Sequence, residues 1–193
     1  NLNNYSKTSV PSRLLLGPGP SNAHPEVLKA LSLNPIGHLD DAYLELMSDV
    51  QELLRYVWQC NNRVSLPMSG TGSAAMEASI ANFIEEEETI LIAKKGYFGD
   101  RLVDMATRYK ANVVVIEKEW GEAFSLDEIK FEIEKNKPSI FAIVHAETST
   151  GVLQPLDGIG EICRKNNCLF LVDAVTSLGA VKLLVDDWKI DLA

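Results

Sequence analysis

The chain has 193 residues, 46% of them apolar and 23% charged, which is the composition of an ordinary soluble globular protein and not of a disordered or fibrous one. A formal net charge of −9, with no cluster of Lys and Arg, argues against nucleic-acid phosphates or an anionic membrane as a partner. Three cysteines, Cys60, Cys163 and Cys168, form no Cys-x-x-Cys pair, so neither a disulfide framework nor a metal site is expected and a reducing, cytoplasmic setting fits. No apolar run approaches the roughly 18 residues of a membrane span.

A polar arm over residues 1–12 leads into LLLGPGPSNAHPEVLKAL, where a rigid Gly-Pro-Gly-Pro turn at 17–20 precedes a short helix predicted over 24–32, with Ser21 or Asn22 near its cap. Leu44, Met47, Val50, Leu54 and Val57 recur at helical spacing and predict a helix over 43–59. Apolar runs bounded by turn formers then predict buried strands at 64–68, 89–93, 112–116, 140–145 and 169–172. Helices are predicted between them at 73–83, 100–110, 126–136 and 155–166, and the acidic run at 85–88 reads as a solvated loop. Such alternation implies an α/β fold: a mostly parallel sheet with right-handed crossovers and helices on both faces. The expected organisation is an arm and Gly-Pro turn over 1–23 followed by one large domain over 24–193. Because DDWKIDLA stops as an apolar stretch resumes, that domain is expected to be incomplete.

Open parallel sheets bind ligands at the carboxyl ends of their strands, so each strand-to-helix loop is a candidate site. In SGTGS, Gly70 and Gly72 let the backbone approach an anion, the first-turn amides and the helix dipole favour its charge, and Thr71 and Ser73 add hydroxyls. The stretch matches neither the dinucleotide fingerprint nor a P-loop, which leaves a phosphate cradle or a plain helix cap. Asp173 closes the last apolar strand; a carboxylate partly desolvated there needs a cation or hydrogen-bond donors, whether a pyridinium, a metal or a capped backbone. In HAETSTG, His145, Glu147, Thr148 and Ser149 form the wall of a tight pocket, with His145 readable as a structural histidine. In KKGYFGDR, Tyr97 and Phe98 offer a ring for stacking on a planar ligand or for the core. Four such loops at one sheet edge describe a phosphorylated aromatic heterocycle, and pyridoxal 5′-phosphate answers each part.

The segments LLLGPGPSNAHPEVL, IGHLDDAY, SGTGSAAMEA, GYFGDR, HAETSTGVLQPLDGIGEIC and LFLVDAVTSLGAV span nearly the whole chain. Together they resemble the class V, fold type I pyridoxal-phosphate aminotransferases, and among them the alanine–glyoxylate and serine–glyoxylate enzymes. The resemblance implies that Thr71, Gly72 and Ser73 hold the cofactor phosphate, and that Phe98 stacks on its ring where mammalian peroxisomal members look to carry Trp. It further implies that Thr148 lies near the phenolic oxygen and that Asp173 pairs with the ring nitrogen and keeps it protonated. Gly19, Pro20 and Ser21 would line the substrate pocket, Gly37 and His38 would approach the partner subunit's site, and the protein would be a homodimer. The implied reaction moves the amino group of alanine or serine to glyoxylate.

The same resemblance calls for a Schiff-base lysine in a Ser-x-Gln-Lys-like segment a few residues beyond the point matching Ala193, and neither Lys182 nor Lys189 matches it. The carboxylate-binding arginine of the C-terminal domain is absent as well, so this chain alone is expected to be catalytically incompetent and the native protein to continue for about as many residues again. A cysteine desulfurase would place histidine where Phe98 stands, and a phosphoserine aminotransferase would need further anion-binding groups. A non-catalytic subunit of the same fold would have no use for the pocket residues. A Rossmann dehydrogenase would need an acidic residue at the end of the next strand, where Ala93-Lys94-Lys95 stand.

Overall fold

Over residues 10–40 the local signals act at short range. The computed structural model describes residues 10–193 and divides the chain into two compact units, Asn1–Asp40 and Asp41–Ala193. In the first, a bend spans residues 17–20. Helix α1 (Pro25–Ala30) begins with proline at a position whose N–H has no helical acceptor anyway. Its cap is His24, whose Nδ1 accepts from the Glu26 amide at 3.3 Å. Asn22, expected near the cap, instead accepts from the Leu15 amide at 2.8 Å and donates to the Arg13 carbonyl at 2.9 Å, closing the turn onto residues 13–15.

The second unit opens with α2 (Asp41–Trp58) and then alternates: α3 (Gly72–Phe83), β1 (Thr89–Lys94), α4 (Tyr97–Arg108), β2 (Asn112–Glu117), α5 (Leu126–Asn136), β3 (Ile140–Val144), a small hairpin β4 (Ala146–Glu147) and β5 (Val152–Leu153), α6 (Ile159–Lys165) and β6 (Leu169–Asp173). The main sheet has the order β2-β1-β3-β6 and is parallel throughout, with Ile90 opposite Ile140 and Ile140 opposite Leu169. Strand alternation divides its apolar residues between two cores. Leu91, Ala93, Phe141, Ile143, Phe170 and Val172 pack with Ile129, Ile133, Ile159 and Cys163 from α5 and α6. On the other face Ile90, Ile92, Ile140, Ala142 and Leu171 pack with Met76, Ile80, Leu102 and Met105 from α3 and α4. Helices therefore cover both faces, as the continuous apolar strands require, and burial of each large side chain contributes roughly 1.5–3 kcal/mol.

Spatial order reverses between β1 and β3: the chain leaves β1 toward β2 and returns to the opposite side of β1. Sheets of this kind form a crevice at the carboxyl ends of the strands where the order reverses.

Four predicted elements differ from the observed ones. The run at 112–116, expected as a buried strand, is the edge strand β2, whose residues are all exposed or half-buried because only β1 pairs with it. Residues 64–68 form no strand, and Val64, Leu66 and Met68 are exposed; a strand exists only with a hydrogen-bonded neighbour, no described strand pairs with this segment, and Pro67 lacks an N–H. Helix α4 starts at Tyr97, three residues before the predicted start. Helix α6 starts at Ile159, because Pro155 and a left-handed Gly158 (φ 81°) hold residues 155–158 out of helix.

Candidate active site

Helix α3 begins in the crevice. Thr71 caps it in extended conformation without using its side chain for the cap, and the amides of Gly72 and Ser73 stand in the first turn, where a helix offers its own N–H groups no acceptor. A Cβ on Gly72 would lie 2.6 Å from Val175 Cγ2, so a glycine is what lets the helix start pack against the loop after β6.

That loop is anchored by Asp173, whose Oδ1 accepts from the Val175 amide at 3.0 Å. Burial raises the Asp173 carboxyl above its ordinary value; the Val175 amide opposes the shift and the negative Glu147 adds to it. No cation pairs with Asp173 among the described residues. Three residues on, the Thr176 hydroxyl meets the hydroxyl of Thr148 in the turn between β4 and β5. Glu147, fully buried, accepts from the amides of Phe98 and Gly99, each at 3.3 Å. Ser149 Oγ accepts from the Tyr97 amide at 3.0 Å.

Successive contacts thus link the four loops read from the sequence, and Thr71, Gly72, Ser73, Phe98, Thr148 and Asp173 fall along one edge of the sheet. Phe98, Ser73, Thr148 and Asp173 are half-buried. The Phe98 ring, in the first turn of α4, stands edge-on to Tyr97 at 5.4 Å. Gly19, Pro20, Ser21, Gly37 and His38 belong to the unit Asn1–Asp40 and are all exposed.

Beneath the edge lies a buried polar group that the sequence reading left without a role. Lys95 is 1% exposed; burial lowers its ammonium to about 8 against the opposing pull of Glu147, and it donates to the Val152 carbonyl at 3.3 Å. His145 is equally enclosed, edge-on to Trp188 at 5.9 Å. Burial, with the Lys95 charge second, lowers it to about 4. It is therefore neutral at neutral pH, and its Nδ1 has no partner among the described residues. Lys95 and Glu147 share a local signal: each is charged, at the end of an apolar run, and next to small residues.

Two recesses of about 460 and 400 Å³ lie elsewhere, between the end of α2 and residues 179–187, and none of the candidate residues lines them. No group of three or more His, Cys, Asp and Glu side chains among the described residues is arranged to hold a metal, and no described helix is long and apolar enough to cross a membrane.

A parallel sheet whose order reverses beside four loops, with the start of α3 and a half-buried strand-end carboxylate on one edge, defines the class of α/β domain that carries its sites at the carboxyl ends of its strands. The chain belongs to the aminotransferase class-V family, whose model matches residues 14–193. It is 45% identical over 184 residues to the (S)-ureidoglycine–glyoxylate transaminase of Bacillus subtilis, and 44% identical over 184 residues to the alanine–glyoxylate aminotransferase of Mus musculus. Each match covers 95% of this chain and 44% of the relative. Among solved structures, alanine–glyoxylate aminotransferase from Nostoc sp. superposes with a TM-score of 0.95 at 57% identity, over 99% of this chain and 52% of that one. The chain spans about half the length of these relatives. A cysteine desulfurase from Thermococcus onnurineus, at 14% identity and a TM-score of 0.65, shares the fold alone.

Proposed function

We propose that the protein containing this chain is a cytoplasmic homodimer that transfers the amino group of a small amino acid, alanine or serine, to glyoxylate with pyridoxal 5′-phosphate as cofactor. The observation that carries this reading is the half-buried Asp173, which has a raised carboxyl and no cation paired with it among the described residues, on the same edge as the start of α3. The family is one of pyridoxal-phosphate enzymes, and the names of the relatives support glyoxylate as acceptor.

The residues present fit the cofactor. The amides of Gly72 and Ser73 and the Thr71 hydroxyl would bind the phosphate, the glycine being required because a side chain would meet Val175. Asp173 would hold a proton on the ring nitrogen through a charge-assisted hydrogen bond in a partly desolvated place, where such a bond is strong. Phe98 would cover one ring face and exclude water, and Thr148, kept in place by Thr176, would donate to the phenolic oxygen. When bound, the cofactor supplies an electron sink for the pair released as a substrate Cα–H bond breaks.

The base that moves that proton is assigned, on the family resemblance, to a lysine outside residues 1–193; Lys95 is enclosed under the β4–β5 hairpin and directed at Val152. Gly19, Pro20 and Ser21 are assigned to the substrate, and Gly37 and His38 to the partner's site. The test is the visible spectrum of the full-length protein with L-alanine, L-serine or (S)-ureidoglycine, followed by glyoxylate. The expected result is a yellow protein bleached by one donor and restored by glyoxylate. A protein that stays colourless when supplied with pyridoxal phosphate refutes the cofactor, and bleaching by (S)-ureidoglycine alone refutes the donor.

A further inference from the structure

We propose that Glu147 is a positioning residue that holds the Phe98 ring and the Thr148 hydroxyl in one fixed register over the cofactor; the inference rests on the cofactor reading given above. Helix α4 cannot cap itself, because its N-cap is Gly96, which has no side chain. Its first three amides, Tyr97, Phe98 and Gly99, would be orphaned in the crevice. All three are satisfied from a loop about fifty residues away. Glu147 Oε1 accepts from Phe98, Glu147 Oε2 from Gly99, and Ser149 Oγ from Tyr97. Ser149 in turn donates to Glu147 Oε1 from its hydroxyl at 2.7 Å and from its amide at 3.3 Å.

This clamp is tight. A Cβ on Gly96 would lie 2.6 Å from both Glu147 Cδ and Ser149 Oγ, so only glycine admits the approach. The carboxylate is 0% exposed, an expensive place for a charge unless its bonds matter, and the helix dipole favours it there. Thr148 lies between the two clamping residues, so the bonds that set the ring also set the hydroxyl.

A cap of this kind could serve stability alone, so the test must read position. In the full-length protein, pyridoxal phosphate affinity and the visible circular dichroism of the bound cofactor are measured for wild type, Glu147→Gln, Phe98→Leu and the double variant. Amide exchange at residues 97–99 is measured without cofactor. Glutamine keeps the shape but turns a donor toward an amide. Losing a hydrogen bond to a charged group is expected to weaken cofactor binding about tenfold or more. The dichroic band should change, and the Phe98 and Gly99 amides should exchange faster. In the Phe98→Leu background the same change is expected to have a clearly smaller effect, because there is no longer a ring to place and only the Thr148 hydroxyl is left to lose its register.

Additive effects, or a lower unfolding temperature with affinity and dichroism unchanged, overturn the positioning role while the cofactor reading stands. A wild type that binds no cofactor overturns both. Should Glu147→Gln fail to fold, Ser149→Ala removes the Tyr97 acceptor and one donor to Glu147 Oε1 while leaving the carboxylate on Phe98 and Gly99, and its effect on affinity is expected in the same direction and smaller. No effect of that variant overturns the proposal.

Discussion

Replacing Asp173 with asparagine separates the two demands on that side chain. Asparagine retains an oxygen for the Val175 amide, which now donates to Asp173 Oδ1 at 3.0 Å, so the loop after β6 keeps its anchor. The variant removes a charge that burial disfavours and that the negative Glu147 disfavours further. A carboxyl whose folded value stands above its unfolded 3.8 penalises the fold at every pH above that raised value, and the penalty fades as the pH falls toward 3.8. Without cofactor, Asp173→Asn is therefore expected to be at least as stable as wild type at pH 8, with the advantage shrinking on acidification. With cofactor the sign reverses. The lost charge-assisted bond to the ring nitrogen is worth about 1.5–3 kcal/mol, which corresponds to a fall of roughly 10- to 150-fold in affinity. Urea unfolding of the cofactor-free protein from pH 8 down to about 4, set beside a cofactor titration, reads both halves. An apo variant clearly less stable than wild type at pH 8, or an unchanged affinity, refutes the reasoning.

Gly72→Ala tests the cradle: the new Cβ would stand 2.6 Å from Val175 Cγ2, a stiff β-branched side chain. Overpacking of about 1–3 kcal/mol is partly offset by up to about 1 kcal/mol of helix propensity. The expected net loss in urea is small, while phosphate-dependent affinity, measured as pyridoxal phosphate against pyridoxal, falls markedly. For His145 the folded value of about 4 lies below the ordinary 6.5, so stability is fully present above 6.5 and is lost as the pH falls toward 4, by about 1.4 kcal/mol per pH unit. His145→Phe, examined by denaturation between pH 7 and 5, is expected to remove that slope.

Much of the architecture was legible before any tertiary information. The runs at 89–93, 140–145 and 169–172 are apolar without alternation, which marks strands buried on both faces, and they join one parallel sheet with the run at 112–116, which forms its less buried edge strand. Glycine and hydroxyl residues at 69–73, the aromatic pair at 97–98 and the strand-end Asp173 announced a ligand edge, because loops at carboxyl ends are where such sheets carry their sites. Local pattern failed where a distant partner decides. Residues 64–68 carry a strand's composition, yet strand formation depends on a neighbour that no local signal supplies. Helix α4 begins at Tyr97 only because Glu147 and Ser149 cap it from across the crevice.

The amino-acid sequence by itself determined the alternation, the two-sided core and the chemistry available at each loop, since these depend on the periodicity and type of neighbouring residues. Only the tertiary structure decided that the start of α3 packs on Val175, that Thr148 meets Thr176, that His145 is neutral and enclosed, and that Glu147 serves a helix fifty residues away. Burial, and the pairing of groups remote in the chain, come into being when the sheet closes its crevice, and no stretch of sequence contains them.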